Sequence, residues 1–189
     1  VCPYLRVKNV YEDRIDVRDV MEMQFEPDEF EFYRLVPGDI LLNEGQSKEL
    51  IGRPAMFRGE LPNVAFTNSL LRFRPYGGVP PEYALGLFRH YMRSGRFQQI
   101  AQITTNIAHL GANRLRVLEY PVAPKEEQVA TAATVTDLLA RLGVLQKNFE
   151  DLCDQSSALH ASGLAKAFRG ELVPQDPNDE PADVMLARL

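Results

Sequence analysis

Asp39, Glu44 and Gln46 follow one another in the order in which a metal-dependent nuclease carries its Asp and its Glu-x-Lys pair, but glutamine stands where lysine is needed. A neutral amide cannot supply that charge, so hydrolysis of phosphodiesters is disfavoured. Val79-Pro80-Pro81-Glu82-Tyr83 imitates the Asn/Asp-Pro-Pro-Tyr loop of amino-methyltransferases but lacks the leading amide or acid. A helix entry is the commoner origin of such a Pro-Pro-Glu run, commoner also than a ligand for a proline-reading domain. His90, His109 and His160 are scattered, and Cys2 and Cys153 have no histidine or second cysteine at ligand spacing. Neither a metal centre nor a nucleophilic triad is expected, and Gly-rich phosphate loops and a GxSxG elbow are absent. The sequence therefore predicts no catalytic residue, no metal and no cofactor bound by the chain itself.

What remains suits recognition. Three polar segments stand out: Asn43-Glu44-Gly45-Gln46-Ser47-Lys48, then Thr67-Asn68-Ser69, then Thr104-Thr105-Asn106 running to His109. Amides read adenine, carboxylates accept from cytosine, and hydroxyls serve bases or phosphates. Each segment alone is equally a turn former. Their company gives them weight: nine arginines (Arg53, Arg58, Arg72, Arg74, Arg89, Arg93, Arg96, Arg114 and Arg116) crowd residues 51–125. Candidate DNA contacts are Asn43, Glu44, Gln46, Ser47, Lys48, Arg53, Arg58, Asn68, Arg72, Arg74, Thr105, Asn106 and His109, the arginines serving mainly phosphates.

The elements that must position these residues are short. Loose alternation predicts strands over 4–10, 14–17, 39–42, 54–57, 69–74 and 115–119, closed by Glu44-Gly45, Gly59-Glu60 and Gly77-Gly78. Helical spacing marks 83–94, stopped by Gly95, and then 96–103. From Lys125 to about Lys166 proline disappears and the period becomes heptad. Val135, Leu142 and Phe149 fall at a, Leu138, Leu145, Leu152 and Leu159 at d, and Ser156 takes the remaining a site. About 40 residues of helix span roughly 60 Å, too long to lie wholly on a domain of this size. A partner helix is favoured over packing on the chain's own globular part, because the seam is narrow and sustained. Beyond Gly170 the chain turns acidic and proline-rich and ends in an amphipathic run over 184–189.

The whole chain of 189 residues carries a net charge of −5, which alone argues against a nucleic-acid partner. Its distribution says otherwise: residues 1–50 carry −6, residues 51–125 carry +7, and residues 126–189 carry −6. The competing reading is that several arginines pair with acids of residues 1–50 inside the fold. No apolar run approaches the roughly 20 residues of a membrane helix and no signal pattern opens the chain, so no membrane partner and a reducing cytoplasmic location are expected. The opening Val1-Cys2-Pro3-Tyr4 falls in mid-pattern, as in a fragment or a processed chain.

Five strings of the sequence carry a resemblance: Pro3-Tyr4-Leu5-Arg6-Val7-Lys8-Asn9-Val10, Pro37-Gly38-Asp39-Ile40-Leu41-Leu42-Asn43-Glu44-Gly45, Ile51-Gly52-Arg53-Pro54-Ala55-Met56-Phe57-Arg58-Gly59-Glu60, Thr105-Asn106-Ile107-Ala108-His109-Leu110-Gly111, and above all Ala165-Lys166-Ala167-Phe168-Arg169-Gly170-Glu171-Leu172-Val173-Pro174-Gln175-Asp176-Pro177. In this order they resemble the DNA-specificity (S) subunit of type I restriction-modification systems. The resemblance implies an α+β fold: a target recognition domain with mixed β-sheet and short helices over 1–123, a long α-helix over 124–169 in an antiparallel coiled coil with a partner helix, and an extended tail over 170–189. It implies a non-catalytic subunit that reads one half of a bipartite site in double-stranded DNA. Its partners would be methyltransferase (M) subunits, which bring S-adenosylmethionine and methylate adenine, and indirectly a motor and nuclease (R) subunit. The family carries two recognition units and this sequence one, so it reads as a half-subunit, and a homodimer through the 135–159 seam would restore the pair. The alternative is a coiled-coil interaction scaffold without direct DNA readout.

Overall fold

A computed structural model describes residues 1–104, 107–174, 178, 180, 184 and 186–188. Two of the candidate contacts, Thr105 and Asn106, and part of the amphipathic run over 184–189 lie outside the described residues. The chain divides into two units, Val1–Asp137 and Leu138–Leu189, and is mixed α+β.

The first unit is organised around one strand. After β1 (Cys2–Leu5), a 3-10 turn, β2 (Val10–Tyr11), β3 (Arg14–Ile15), β4 (Met21–Met23) and α1 (Pro27–Tyr33), the run Ile40-Leu41-Leu42-Asn43 forms β5 (Ile40–Asn43), buried at every position. A continuous apolar run can sit only where both faces of a strand are covered. Ile40 and Leu42 point into one core with Leu85, Phe88 and Phe97, while Leu41 points into the other with Leu5, Phe57 and Leu70. Following β6 (Gly45–Gln46), β7 (Pro54–Met56), β8 (Ala65–Phe66) and β9 (Leu70–Phe73), strand β5 pairs antiparallel with β7 on one side and β9 on the other. A second sheet has the order β4-β1-β8, in which β1 runs antiparallel to β4 and parallel to β8.

Helix α2 (Pro81–Arg93) begins at Pro80-Pro81, where a missing N–H costs nothing. It buries Ala84, Leu85, Phe88 and Met92, one face at helical spacing. Gly95, at φ 76°, ends it and turns into α3 (Arg96–Ile100). The helix expected to run on to 103 stops there, because β10 (Gln102–Thr104) pairs with β11 (Ile107–His109). The strand expected over 115–119 is instead α4 (Ala112–Arg116) and the segment after it. Gly52, at φ 68°, has no substitute: a Cβ there would lie 2.4 Å from the buried ring of Phe97.

Helix α5 (Lys125–Phe168) is a single element of 44 residues, about 66 Å at 1.5 Å per residue. Gln128 and Ala132 are buried near its start, and the Gln128 amide donates to the Ala123 carbonyl at 2.7 Å. The heptad seam is open along its length, from Val135 at 36% exposure to Leu159 at 75%, with Leu138, Leu142, Leu145, Phe149 and Leu152 between 53% and 68%. Among the described residues no helix is long and apolar enough to cross a membrane.

Candidate nucleic-acid interface

The three polar segments meet at Glu44. Its N–H donates to the Ser69 carbonyl at 3.1 Å and its carbonyl accepts the N–H of Leu110 at 2.8 Å. Immediately after it, β6 pairs antiparallel with β11, setting Gly45 opposite His109 and Gln46 opposite Ala108, and β10 completes the sheet. Ala108 turns its methyl into the core, which leaves His109, Ile107, Gln102 and Thr104 exposed. Gly45 lets the His109 ring lie close, since a Cβ on it would meet the imidazole at 3.4 Å. The loop after β6 is tied back at its far end by the Gly52 N–H donating to the Asn43 carbonyl at 3.1 Å.

Within this junction the candidates differ in access. Asn43 is fully buried; its amide donates to the Val10 carbonyl at 3.5 Å, and its side-chain oxygen has no partner among the described residues. Glu44, Gln46 and Ser47 are half-buried, with the Gln46 side-chain oxygen accepting the Ser47 N–H at 3.1 Å. Lys48, Asn68 and His109 are exposed. Asn68 sits on a turn in which the Thr67 and Ser69 hydroxyls share a hydrogen bond of 2.8 Å. Beside the junction opens a cleft of about 1010 Å³ with Phe66, Phe88 and Tyr120 in its lining and Glu44, Asn68 and Arg116 also facing it.

The candidate arginines are engaged inside the fold. Arg74 grips the buried carboxylate of Asp39 with two bonds, Nε to Oδ1 at 2.6 Å and Nη2 to Oδ2 at 2.7 Å, and this pairing raises its pKa. Asp39 also accepts the N–H of Val36 at 2.9 Å, so one carboxylate fixes the turn into β5 and the end of β9 together. Arg72 donates to the Arg34 carbonyl at 3.0 Å and lies 5.2 Å over the Phe66 ring. Arg53 donates to the Val10 carbonyl at 2.6 Å and lies 5.1 Å over Tyr11. Burial lowers the pKa of both. Arg58 pairs with Asp13 at 3.0 Å.

The turn Glu12-Asp13 between β2 and β3 is an acidic clamp that no sequence spacing announces. Glu12 takes Arg93 through two bonds of 2.9 Å and Arg89 at 3.3 Å, while Asp13 takes Arg58 and Arg89. Several charges of the basic middle third thus answer the acidic first third. Arg96 pairs with Glu119 at 3.8 Å. Arg114 donates to the neutral Gln102 side chain at 2.9 Å, and Arg116 is exposed.

No protein-family model matches the chain. Its curated homologues are specificity subunits of type I restriction enzymes. The chain is 29% identical over 152 residues, 79% of its length, to a Methanocaldococcus jannaschii protein described as "Putative type I restriction enzyme MjaX specificity subunit". It is 24% identical over 175 residues, 92% of its length, to the type I restriction enzyme EcoKI specificity subunit of Escherichia coli K12. The matches cover 36% and 38% of those proteins, so the chain spans little more than a third of the length of the relatives it matches.

Proposed function

We propose that this chain is a recognition module of a type I specificity subunit, reading one half of a split target in double-stranded DNA and performing no chemistry of its own. The convergence of three polar segments on Glu44 carries the reading. Separate loops become one surface, edged by the exposed Asn68, His109 and Lys48. Asn68 and His109, with Gln46, Ser47, Thr105 and Asn106, are the proposed base contacts. Arg53, Arg58, Arg72 and Arg74 hold the strands that present them. The exposed seam of α5 takes an antiparallel partner helix and, with it, the adenine methyltransferase subunits that bring S-adenosylmethionine; the motor and nuclease subunit joins through them. The complex works in the cytoplasm.

A second copy can supply the partner helix. Antiparallel self-pairing centred on Lys147 sets Leu145 against the partner's Phe149, Leu142 against the partner's Leu152 and Val135 against the partner's Leu159. Two identical modules on a two-fold axis would read an interrupted palindrome.

The pairing of Arg58, Arg74, Arg89 and Arg93 with acids of the first third favours a second reading, an interaction scaffold without DNA contact. Duplex binding by the chain with its methyltransferase partner, at two salt concentrations, separates the two. Binding that exceeds the methyltransferase alone and weakens steeply with salt supports DNA reading. Binding indistinguishable from the methyltransferase alone supports the scaffold.

A further inference from the structure

We infer that the phosphate anchors of this module are Arg114 and Arg116 on α4, together with Lys48, and not the arginines nearer the candidate loops. The inference rests on the DNA-reading function proposed above. It follows from which cations the fold leaves available. A guanidinium already bound to a carboxylate offers a phosphate only the energy left after that bond is broken, whereas one facing water or a neutral amide offers its full charge.

Arg58, Arg74, Arg89 and Arg93 each hold at least one carboxylate, and Arg53 and Arg72 are half-buried on backbone carbonyls. Arg116 is exposed and has no hydrogen-bond or ion-pair partner among the described residues. Among the described residues Arg114 donates to the neutral Gln102 and forms no ion pair, and exposed Lys48 likewise forms none.

Their placement fits a phosphate role. Helix α4 follows β11 by way of Gly111, and Lys48 follows β6 after one residue. Because β6 and β11 run antiparallel, the two arginines leave the recognition sheet at the Glu44 end and Lys48 leaves it at the other. Cations at both ends of a sheet that carries the base-reading side chains would grip the backbone on either side of the bases. The acids facing the arginines are Glu44 and Glu119, which line the cleft with Arg116; Glu49 neighbours Lys48 in sequence. None of the three forms an ion pair with these cations among the described residues.

The test is fluorescence anisotropy of a labelled random duplex, titrated with the full chain and its methyltransferase from low to moderate salt. Four proteins are compared: the unaltered chain, Arg114→Gln/Arg116→Gln, Lys48→Gln, and the control Arg93→Gln. Lys48, Arg93 and Arg116 are exposed, and half-buried Arg114 gives up one bond to a neutral amide, so the replacements leave the fold standing, which circular dichroism checks. The slope of log K against log salt falls by roughly 0.9 for each phosphate that is no longer neutralised, hence by about 2 for the double variant and about 1 for Lys48→Gln. Arg93→Gln leaves it unchanged. Salt-dependent binding by the unaltered chain with an unaltered slope in the double variant overturns this inference while leaving DNA reading intact. Absence of any binding contributed by the unaltered chain overturns both.

Discussion

The carbonyl of Glu44 accepts the backbone N–H of Leu110 at 2.8 Å, joining the first polar segment to the end of the third. The Glu44 N–H makes the matching bond to Ser69. Main-chain bonds set this junction, so the side chains around it can change without dismantling it. Binding residues carried on loops are placed best by a frame that does not depend on their identity.

Gly52→Ala tests the frame. The added methyl would fall 2.4 Å from the Phe97 ring at a backbone φ of 68°, so the ring must move out of a fully packed core. Overpacking and the left-handed backbone together cost about 3 kcal/mol. The midpoint of urea denaturation shifts down accordingly, and an unchanged midpoint would mean that the loop after β6 is not held as described.

Asp39→Asn tests the clamp between β5 and β9. Asparagine keeps the shape but loses the charge that Arg74 grips through two bonds, leaving a cost of about 2 kcal/mol in chemical denaturation. Asp39→Asn/Arg74→Gln loses less than the sum of the single changes, because the two side chains act as one unit. Additive losses would show that the pair is incidental.

Leu145→Glu tests the seam of α5. Leu145 is 63% exposed in the single chain, so the substitution leaves the fold of the first unit untouched. Sedimentation equilibrium is expected to show the unaltered chain as a concentration-dependent dimer and the variant as a monomer. An unaltered chain that stays monomeric at micromolar concentration, with and without the methyltransferase, removes self-pairing.

Parts of this arrangement were legible in the sequence where the signal was local. The run Ile40-Leu41-Leu42 announces a strand covered on both sides, Pro80-Pro81 announces a helix start, and the heptads announce α5. Where Leu115 and Val117 alternate, the pattern looks like a strand, yet the Leu115 N–H closes a helical turn onto Gly111 at 3.1 Å. The arginines show a deeper limit. Their clustering is visible in the chain, but Arg93 finds Glu12, and Arg74 finds Asp39, only through pairings between distant segments. Composition therefore showed the charge and hid its partners. The candidate contacts suffer likewise, since Asn43 and Asn68 look equivalent in sequence and one is buried while the other faces water.

Mapping adenine methylation across the genome of a host that expresses this chain with its methyltransferase tests the DNA-reading role most directly. The expected result is methylation that depends on this chain, at a split motif whose two short half-sites flank an unread spacer of fixed length. If the chain pairs with itself, the half-sites are inverted copies. Methylation identical with and without the chain, or confined to one uninterrupted motif, would contradict that role.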